Sequence, residues 1–258
     1  MSTALITGAS GGIGYELALE HVRRGGDVIL VARREDKLRE YQSAWESTYG
    51  VKVYVIGMDL ASRGSAQALY DAVATKGLTV DILINNAGFG QYGLFEESDV
   101  ERGLEMLELN VVTLTTLTRL FVVDMLRRRS GRIMNVASTA SFQPVPLFAQ
   151  YSATKAYVLS FSEALNNEVS DRGVTVTTLC PGPTTSGFQD VAAMHQARMA
   201  DARLMATSAE VARFGYNAML RGKTVAVHGL LNRITIMLLR FTPRSIVVRV
   251  GRMVAEKR

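Results

Sequence analysis

The sequence predicts an α/β fold: a doubly wound parallel sheet of about seven strands with helices on both faces. Short apolar runs rich in Val and Ile recur without polar alternation, as in strands that are covered on both faces. They lie at residues 4–7, 28–32, 51–56, 80–85, 132–137, 174–179 and 224–227. Helical patterns separate them, at residues 14–24, 35–46, 66–76, 99–128 and 150–171. This alternation predicts parallel strands joined by right-handed crossovers.

Composition predicts one large domain followed by a short tail. The chain has 258 residues, of which 48% are hydrophobic and 21% charged, enough for a sizeable core. We expect a nucleotide-binding domain at residues 1–229 and a basic amphipathic helical tail at residues 230–258. The single cysteine, Cys180, excludes an intramolecular disulfide and ends an apolar run, so we expect it to be a buried spectator.

The net charge of +5 belongs to the tail. Residues 230–258 contain seven basic residues against Glu256 alone, which leaves about −1 for the rest of the chain. A nucleic-acid surface is therefore not indicated. The apolar residues of the tail share helical faces, with arginines on the other side. Three roles stay open: an anionic membrane surface, a subunit contact or closure of a substrate pocket.

The beginning of the chain and its hydropathy predict a cytoplasmic protein. An apolar run and a glycine-rich turn follow Ser2 directly, so we expect no signal peptide. No stretch reaches about 18 uncharged apolar residues, the length that a membrane-spanning helix needs. If the tail binds lipid, the protein would be peripheral to a membrane.

Residues 7–14 form a glycine-rich turn, Thr-Gly-Ala-Ser-Gly-Gly-Ile-Gly, between the first strand and the first helix. Gly8 permits a sharp turn, Gly12 lets the backbone approach a pyrophosphate, and Gly14 lets the helix pack closely. The free N–H groups of the helix would then face phosphates. This context predicts a Rossmann-type nucleotide site. The residues expected to contact the nucleotide here are Gly8, Ser10, Gly12, Ile13 and Gly14.

The end of the second strand predicts the cofactor. NAD-dependent proteins commonly place an acid there, which accepts hydrogen bonds from the ribose hydroxyls. Here Ala32 occupies that slot and Arg33 and Arg34 follow. A guanidinium binds a 2′-phosphate through charge-assisted hydrogen bonds. We therefore expect NADP(H) to be favoured over NAD(H), with Arg33 ranked before Arg34; the alternative is that both arginines cap the next helix or lie in solvent.

The motifs together resemble the short-chain dehydrogenase/reductase family, in its single-domain branch of about 250 residues. The turn has that family's Thr-Gly-x-x-x-Gly-x-Gly spacing, and Asn85-Asn86-Ala87-Gly88 closes the fourth strand. Ser138, then the segment from Tyr151 to Lys155, then Pro181-Gly182 follow in the family's order. The resemblance extends from about residue 4 to residue 229.

The resemblance implies further site residues. Asp59 and Leu60 would contact the adenine, although Asp59 could instead lie beside a helix cap. The other implied nucleotide contacts are Asn86, Ala87, Gly88, Tyr151, Lys155, Pro181, Gly182 and Thr184. Asn110 would support a water-mediated proton path, with a buried structural amide as the alternative. The family also implies a homodimer or homotetramer through the long helices.

Tyr151 and Lys155 lie four residues apart in a helical stretch, so they share one face. A tyrosine has a pKa of about 10, and a nearby ammonium lowers that pKa and lets the phenol exchange protons. Ser138 would hold the substrate oxygen beside it. These residues predict hydride transfer between NADP(H) and a carbonyl or secondary alcohol; the alternative is a catalytically silent nucleotide-binding scaffold. His21, His195 and His228 are scattered and indicate no metal site.

The substrate is expected to be a small molecule that is apolar or amphipathic. Its pocket walls should come from residues 140–150, in particular Phe142, Val145, Pro146, Leu147 and Phe148. Residues 184–207 interrupt the strand–helix rhythm, and we expect either a lid over the substrate or a plain surface helix.

Overall fold

A computed structural model describes residues 2–185 and 205–256 of the chain. Seven parallel strands form the main sheet in the order β3-β2-β1-β4-β5-β6-β9. These strands are β1 (Thr3–Thr7), β2 (Asp27–Ala32), β3 (Val53–Gly57), β4 (Ile82–Asn85), β5 (Gly131–Val136), β6 (Val174–Cys180) and β9 (Val225–Val227). The short β7 (Thr184–Thr185) and β8 (Ala206–Thr207) pair with each other. The predicted doubly wound sheet is confirmed.

Helices connect the strands and cover both faces of the sheet. They are α1 (Gly12–Val22), α2 (Glu35–Tyr49), α3 (Ser65–Thr75), α4 (Val100–Leu107), α5 (Leu114–Arg128), α6 (Ala149–Val169), α7 (Ser208–Leu220), α8 (Leu230–Leu239) and α9 (Arg244–Ala255). Successive strand residues alternate between two apolar cores. Leu5 and Ile29 point into one core, and Ile6 and Leu30 into the other. Burial on both faces explains why the strands have no polar alternation.

The long helix predicted at residues 99–128 contains a local change of pitch. A π-helical segment, Glu108–Thr113, lies between α4 and α5. Such segments are rare and commonly occur at functional positions. The continuous stretch Val100–Arg128 is long and apolar enough to cross a membrane by length and composition. Its Leu117, Phe121 and Met125 are buried against the sheet, as in the core helix of a globular domain.

The tail folds into two helices, α8 and α9, that lie beside the carboxyl edge of the sheet. Gly251 of α9 approaches the loop at Pro144 and Pro146, where an added Cβ would lie 3.2 Å from the Pro144 carbonyl oxygen. Ala255 is fully buried, and its carbonyl accepts a hydrogen bond from the Tyr92 hydroxyl at 2.7 Å. The tail is thus attached to the domain at a few points. Most of the lid expected at residues 184–207 lies outside the described residues.

Candidate active site

One cavity of about 740 Å³ lies at the carboxyl edge of the sheet. It extends from the turn after β1, past the ends of β4, β5 and β6, to the two tail helices. Ligands of open parallel sheets bind at this edge, because the loops after the strands converge there. The predicted site residues that line it are Gly8, Ser10, Gly12, Ile13, Arg34, Asn86, Ala87, Gly88, Ser138, Tyr151, Lys155, Pro181, Gly182 and Thr184.

The turn after β1 has the shape that a phosphate-binding loop needs. Gly8 and Gly12 adopt left-handed conformations, with φ of 67° and 55°, which side chains other than glycine adopt with strain. Among the residues that the structure describes, no side chain caps the first turn of α1, which leaves its N–H groups available to a ligand, and Gly12 and Ile13 of that turn line the cavity. Gly14 lies behind the turn, where a Cβ would collide with the Gly8 carbonyl and the Asn86 amide. The residues fit a bound dinucleotide phosphate.

Asn86 holds this turn in place. Its side-chain amide donates hydrogen bonds to the carbonyl oxygens of Thr7 at 3.0 Å and Gly8 at 3.3 Å. In return, the Thr7 hydroxyl accepts the backbone N–H groups of Asn86 and Ala87, each at 3.0 Å. The segment after β4 therefore lines the cleft and also fixes the glycine turn. The resemblance implied only the lining role.

The two arginines after β2 lie in different places. The Arg34 guanidinium lines the cavity and donates to the carbonyl oxygen of Ser10 at 3.0 Å and to its hydroxyl at 3.1 Å. Arg33 is exposed and lies outside the cavity lining. Arg34, which the sequence ranks second as a ligand of the 2′-phosphate, is thus the arginine that contacts the glycine-rich turn.

Ser138, Tyr151 and Lys155 meet at the centre of the cavity. The Lys155 Nζ donates to the Val136 carbonyl oxygen at 2.9 Å and lies 5.8 Å from the centre of the Tyr151 ring. Ser138 hydrogen-bonds Tyr151, which lowers the pKa of the phenol, but burial has the larger effect and raises that pKa to about 12. Burial also lowers the pKa of Lys155 to about 8. Near neutral pH the phenol therefore holds its proton and the ammonium its charge.

Asn110 lies directly behind this group, in the π-helical segment. Its side chain is fully buried, accepts from the Phe89 N–H at 3.2 Å, and donates to the Phe89 carbonyl oxygen at 2.9 Å and the Thr154 hydroxyl at 3.1 Å. A Cβ at Gly88 would lie 2.8 Å from the Asn110 carbonyl oxygen and 3.4 Å from the Lys155 Nζ. Asn110 thus links the segment after β4 to the helix that carries Tyr151 and Lys155.

The remaining predicted nucleotide contacts divide between the cavity and its surroundings. Thr184 is buried at the cavity wall and donates to the Gly182 carbonyl oxygen at 2.9 Å. Asp59 accepts from the Ala61 N–H at 3.0 Å, the geometry of a turn, and Leu60 is buried in the core. Asp59 and Leu60 lie outside the cavity lining, so their contact with adenine stays a prediction.

The substrate end of the cavity has walls from two parts of the chain. Of the wall residues expected after Ser138, Val145 and Phe148 line the cavity. Leu147 has a left-handed backbone, with φ of 66°, and lines a smaller neighbouring pocket. The opposite wall comes from the tail, through Thr235, Leu238, Leu239, Thr242, Val247, Val250, Gly251 and Val254.

Sequence reasoning missed several of these lining residues. Thr139 adds a polar group near Ser138, and nothing in its spacing distinguishes it from other loop residues. Gln143, within the predicted wall at residues 140–150, lines the cavity, whereas Phe142 and Pro146 do not. The tail residues were visible only as two amphipathic stripes. Pocket closure was one of three open roles for the tail, and the structure assigns part of each stripe to it.

Comparisons with known proteins identify the family of this chain. A family model described as short chain dehydrogenase matches residues 2–196. The chain is 34% identical over 185 residues to the very-long-chain 3-oxoacyl-CoA reductase of Rattus norvegicus, which covers 69% of this chain and 58% of that protein. The chain therefore spans a little over half the length of the curated relatives it matches.

Solved structures with the same fold cover nearly the whole chain. A short-chain dehydrogenase from Sphingobium yanoikuyae in complex with NADPH has a TM-score of 0.84 and 29% identity, covering 93% of this chain and 94% of that one. A bulky-bulky ketone specific alcohol dehydrogenase from Comamonas testosteroni has a TM-score of 0.79 and 27% identity, covering 93% and 92%. The name of the protein from Comamonas testosteroni states that it is specific for ketones.

Proposed function

Because the chain belongs to the short-chain dehydrogenase family of oxidoreductases, we propose that it reduces the keto group of a long apolar 3-oxoacyl thioester with NADPH. One observation carries the proposal. The polar group of Ser138, Tyr151 and Lys155 opens into the same cavity as an apolar wall built from the tail. A cavity of about 740 Å³ has room for the nicotinamide end of a dinucleotide together with part of a long acyl chain.

Tyr151 is the proposed general acid. The phenol is protonated near neutral pH, so its hydroxyl has a proton to donate to the carbonyl oxygen that becomes the alcohol. Burial, which raises the pKa of Tyr151 to about 12, opposes this donation, and a nearby positive charge favours it. The Ser138 hydroxyl would donate a second hydrogen bond to the same oxygen and fix its position. A nicotinamide cofactor, when bound, supplies the hydride.

Lys155 and Asn110 support the acid. The Lys155 ammonium stabilises the phenolate that proton donation leaves behind, since an opposite charge favours the ionised form. Its Nζ is held by a hydrogen bond to the Val136 carbonyl oxygen, and we propose that it also binds the ribose hydroxyls of the cofactor. Asn110 fixes the backbone after β4 against α6, and we propose that this placement supports the return path of the proton.

NADP(H) is the proposed cofactor. Arg34 stands over the phosphate turn, and no acid occupies the end of β2. A 2′-phosphate there would gain a charge-assisted hydrogen bond that NAD(H) lacks. The NADPH complex of the relative from Sphingobium yanoikuyae supports this choice.

The substrate class rests on the apolar wall and on the name of the relative from Rattus norvegicus. To test it, NADPH oxidation is measured with 3-oxoacyl thioesters of increasing chain length and with bulky aromatic ketones. We expect kcat/KM to rise with chain length, since each buried methylene adds about 0.8 kcal/mol to binding. A preference for short chains, or for bulky ketones over every thioester, would refute the substrate class.

Assembly and location remain proposals as well. Leu104, Leu107, Val112 and Tyr157 are exposed on the long helices, which supports a homodimer or homotetramer through that face. Analytical sedimentation of Leu104→Glu and of the unaltered protein compares their oligomeric states. An oligomer unchanged by the substitution would contradict assembly through this face. We propose a cytoplasmic protein that reaches membranes through its tail.

A further inference from the structure

The two tail helices expose most of their apolar side chains. α8 has no buried residue, although most of its residues are apolar. Of the nineteen large hydrophobic residues exposed in the described chain, eleven lie in α8, α9 and the corner between them. They are Leu230, Leu231, Ile234, Met237, Leu238, Phe241, Ile246, Val248, Val250, Met253 and Val254. An exposed apolar surface of this extent is typical of an interaction site.

Basic groups accompany this apolar surface. Arg233, Arg240, Arg244 and Arg249 are exposed on the same two helices and have no carboxylate partner among residues 2–185 and 205–256. Arg252 pairs with Glu256 at 2.8 Å. The surface therefore combines exposed aliphatic side chains with free positive charge.

The active-site cavity reaches this surface. Leu238, Val250 and Val254 line the cavity, yet their side chains are also exposed, at 55%, 46% and 48%. The exposed surface of these residues includes the part that faces the cavity, so the cavity lining and the apolar surface of α8 and α9 share residues and are continuous.

We propose that the outer face of α8 and α9 binds an anionic lipid bilayer, so that the cavity mouth opens onto the membrane. Apolar side chains would enter the boundary between headgroups and acyl chains, and the arginines would meet the lipid phosphates. A long-chain substrate dissolved in the leaflet could then enter the cavity without crossing water, a consequence that rests on the proposed function.

A second copy of the chain fits this surface less well than a bilayer. In a two-fold contact the same patch meets itself, which brings the arginines of both copies together. Like charges at an interface repel, and no exposed acid of α8 or of the corner offsets them. Anionic headgroups neutralise these arginines instead.

Vesicle flotation of the full chain tests the surface. We expect binding to vesicles of phosphatidylcholine mixed with phosphatidylserine, weaker binding to phosphatidylcholine alone, and loss of the difference at high salt. Failure to bind either vesicle, or equal binding to both, would overturn the proposal.

A pair of matched variants locates the contact. Leu231→Glu/Phe241→Glu changes two side chains of the tail that are 74% and 82% exposed and do not line the cavity. Val100→Glu/Leu220→Glu makes the same change at two residues that are 71% and 41% exposed and lie outside α8, α9 and the cavity lining. We expect the tail variant to lose vesicle affinity at least about tenfold and the control to keep it. Equal affinity of the two variants refutes the location, and conversion of a dimer to a monomer by the tail variant would identify a second copy as the occupant.

A fluorescent probe separates the surface from catalysis. Cys180 is buried, so Leu231→Cys offers one accessible thiol for an environment-sensitive dye among the described residues. We expect its emission to shift to shorter wavelength with anionic vesicles, while a dye at Val100→Cys, outside α8 and α9, stays unchanged. This readout needs no turnover, so it stands even if the proposed reaction is wrong. If the protein turns over 3-oxoacyl thioesters, the tail variant should reduce a long-chain thioester in vesicles more slowly than the unaltered protein does. It should reduce a short, water-soluble thioester at an unchanged rate. Equal loss of rate on both substrates would refute delivery from the membrane.

Discussion

The nucleotide end and the tail end of the same cavity are built in opposite ways. At the nucleotide end, four hydrogen bonds join Asn86 and Ala87, directly after β4, to Thr7 and Gly8 at the end of β1. At the tail end, α8 has no buried residue and α9 is attached mainly through Val247, Gly251 and Ala255. The nucleotide end is therefore fixed by hydrogen bonds, whereas few buried residues hold the tail end in place.

This difference separates cofactor binding from substrate binding. Elements with few buried contacts open at low free energy, whereas a hydrogen-bonded turn in a core does not. Substitution of Tyr151 should therefore lower the rate of the reaction, and substitutions at the glycine turn should weaken nucleotide binding. Substitutions in the tail should weaken substrate binding alone. Four predictions test that separation, from the largest effect to the smallest.

Tyr151→Phe should remove the chemistry and leave both ends intact. The phenyl ring can keep the packing of Tyr151 on Phe148, whose ring centre is 5.6 Å away, but it carries no proton to donate. We expect turnover to fall about a hundredfold to ten-thousandfold. NADPH binding, followed by its fluorescence, should be unchanged. Undiminished turnover would refute the mechanism.

Arg34→Ala should weaken NADPH at the nucleotide end. Loss of a charge-assisted hydrogen bond to the 2′-phosphate should raise the Kd of NADPH about tenfold to a hundredfold and leave that of NADH nearly unchanged. Arg33→Ala is the matched variant, since the sequence ranks Arg33 first. Titration of both variants with both nucleotides decides between the arginines. Equal losses for NADPH and NADH would contradict the cofactor assignment.

Gly251→Val should disturb only the tail end. The added methyl groups would meet the Pro144 carbonyl, which lies 3.2 Å from the position of a Cβ, and push α9 away from the loop. We expect KM for the 3-oxoacyl thioester to rise about tenfold, since overpacking displaces a wall of the cavity. Ser245→Val, exposed on the same helix and outside the cavity lining, is the control. A parallel loss of NADPH affinity would show that the two ends are coupled.

The pH dependence of NADPH binding should report Lys155. Burial lowers the pKa of its ammonium from 10.5 to about 8, so the charge is present below about pH 8 and lost above it. Affinity for NADPH should therefore weaken a few-fold between pH 8 and pH 10, because a neutral amine binds the ribose side more weakly. Lys155→Met should remove this dependence. The same slope in both proteins would assign the titration to another group.

Much of the fold could be read from local patterns, but contacts between distant segments could not. The seven strands follow from runs of Val and Ile, since burial on both faces leaves a continuous apolar signal. The π-helical segment at Asn110 carries no such signal, and the hydrogen bonds of Asn110 run to Phe89 and Thr154, which are distant in sequence. The prediction that Arg33 rather than Arg34 binds the 2′-phosphate likewise depended only on their positions directly after β2. The direction of the backbone after β2 puts Arg34 over Ser10.

Local sequence patterns are enough to predict the sheet, the glycine turn and the order of Ser138, Tyr151 and Lys155, because each depends on neighbours within a few residues. The environment of that group depends instead on segments that meet only in the folded chain. Burial raises the pKa of Tyr151 to about 12, opposite to the lowering that its spacing from Lys155 predicts. The tertiary structure also brought the tail against the cavity, since which face of an amphipathic helix is covered depends on where the chain returns.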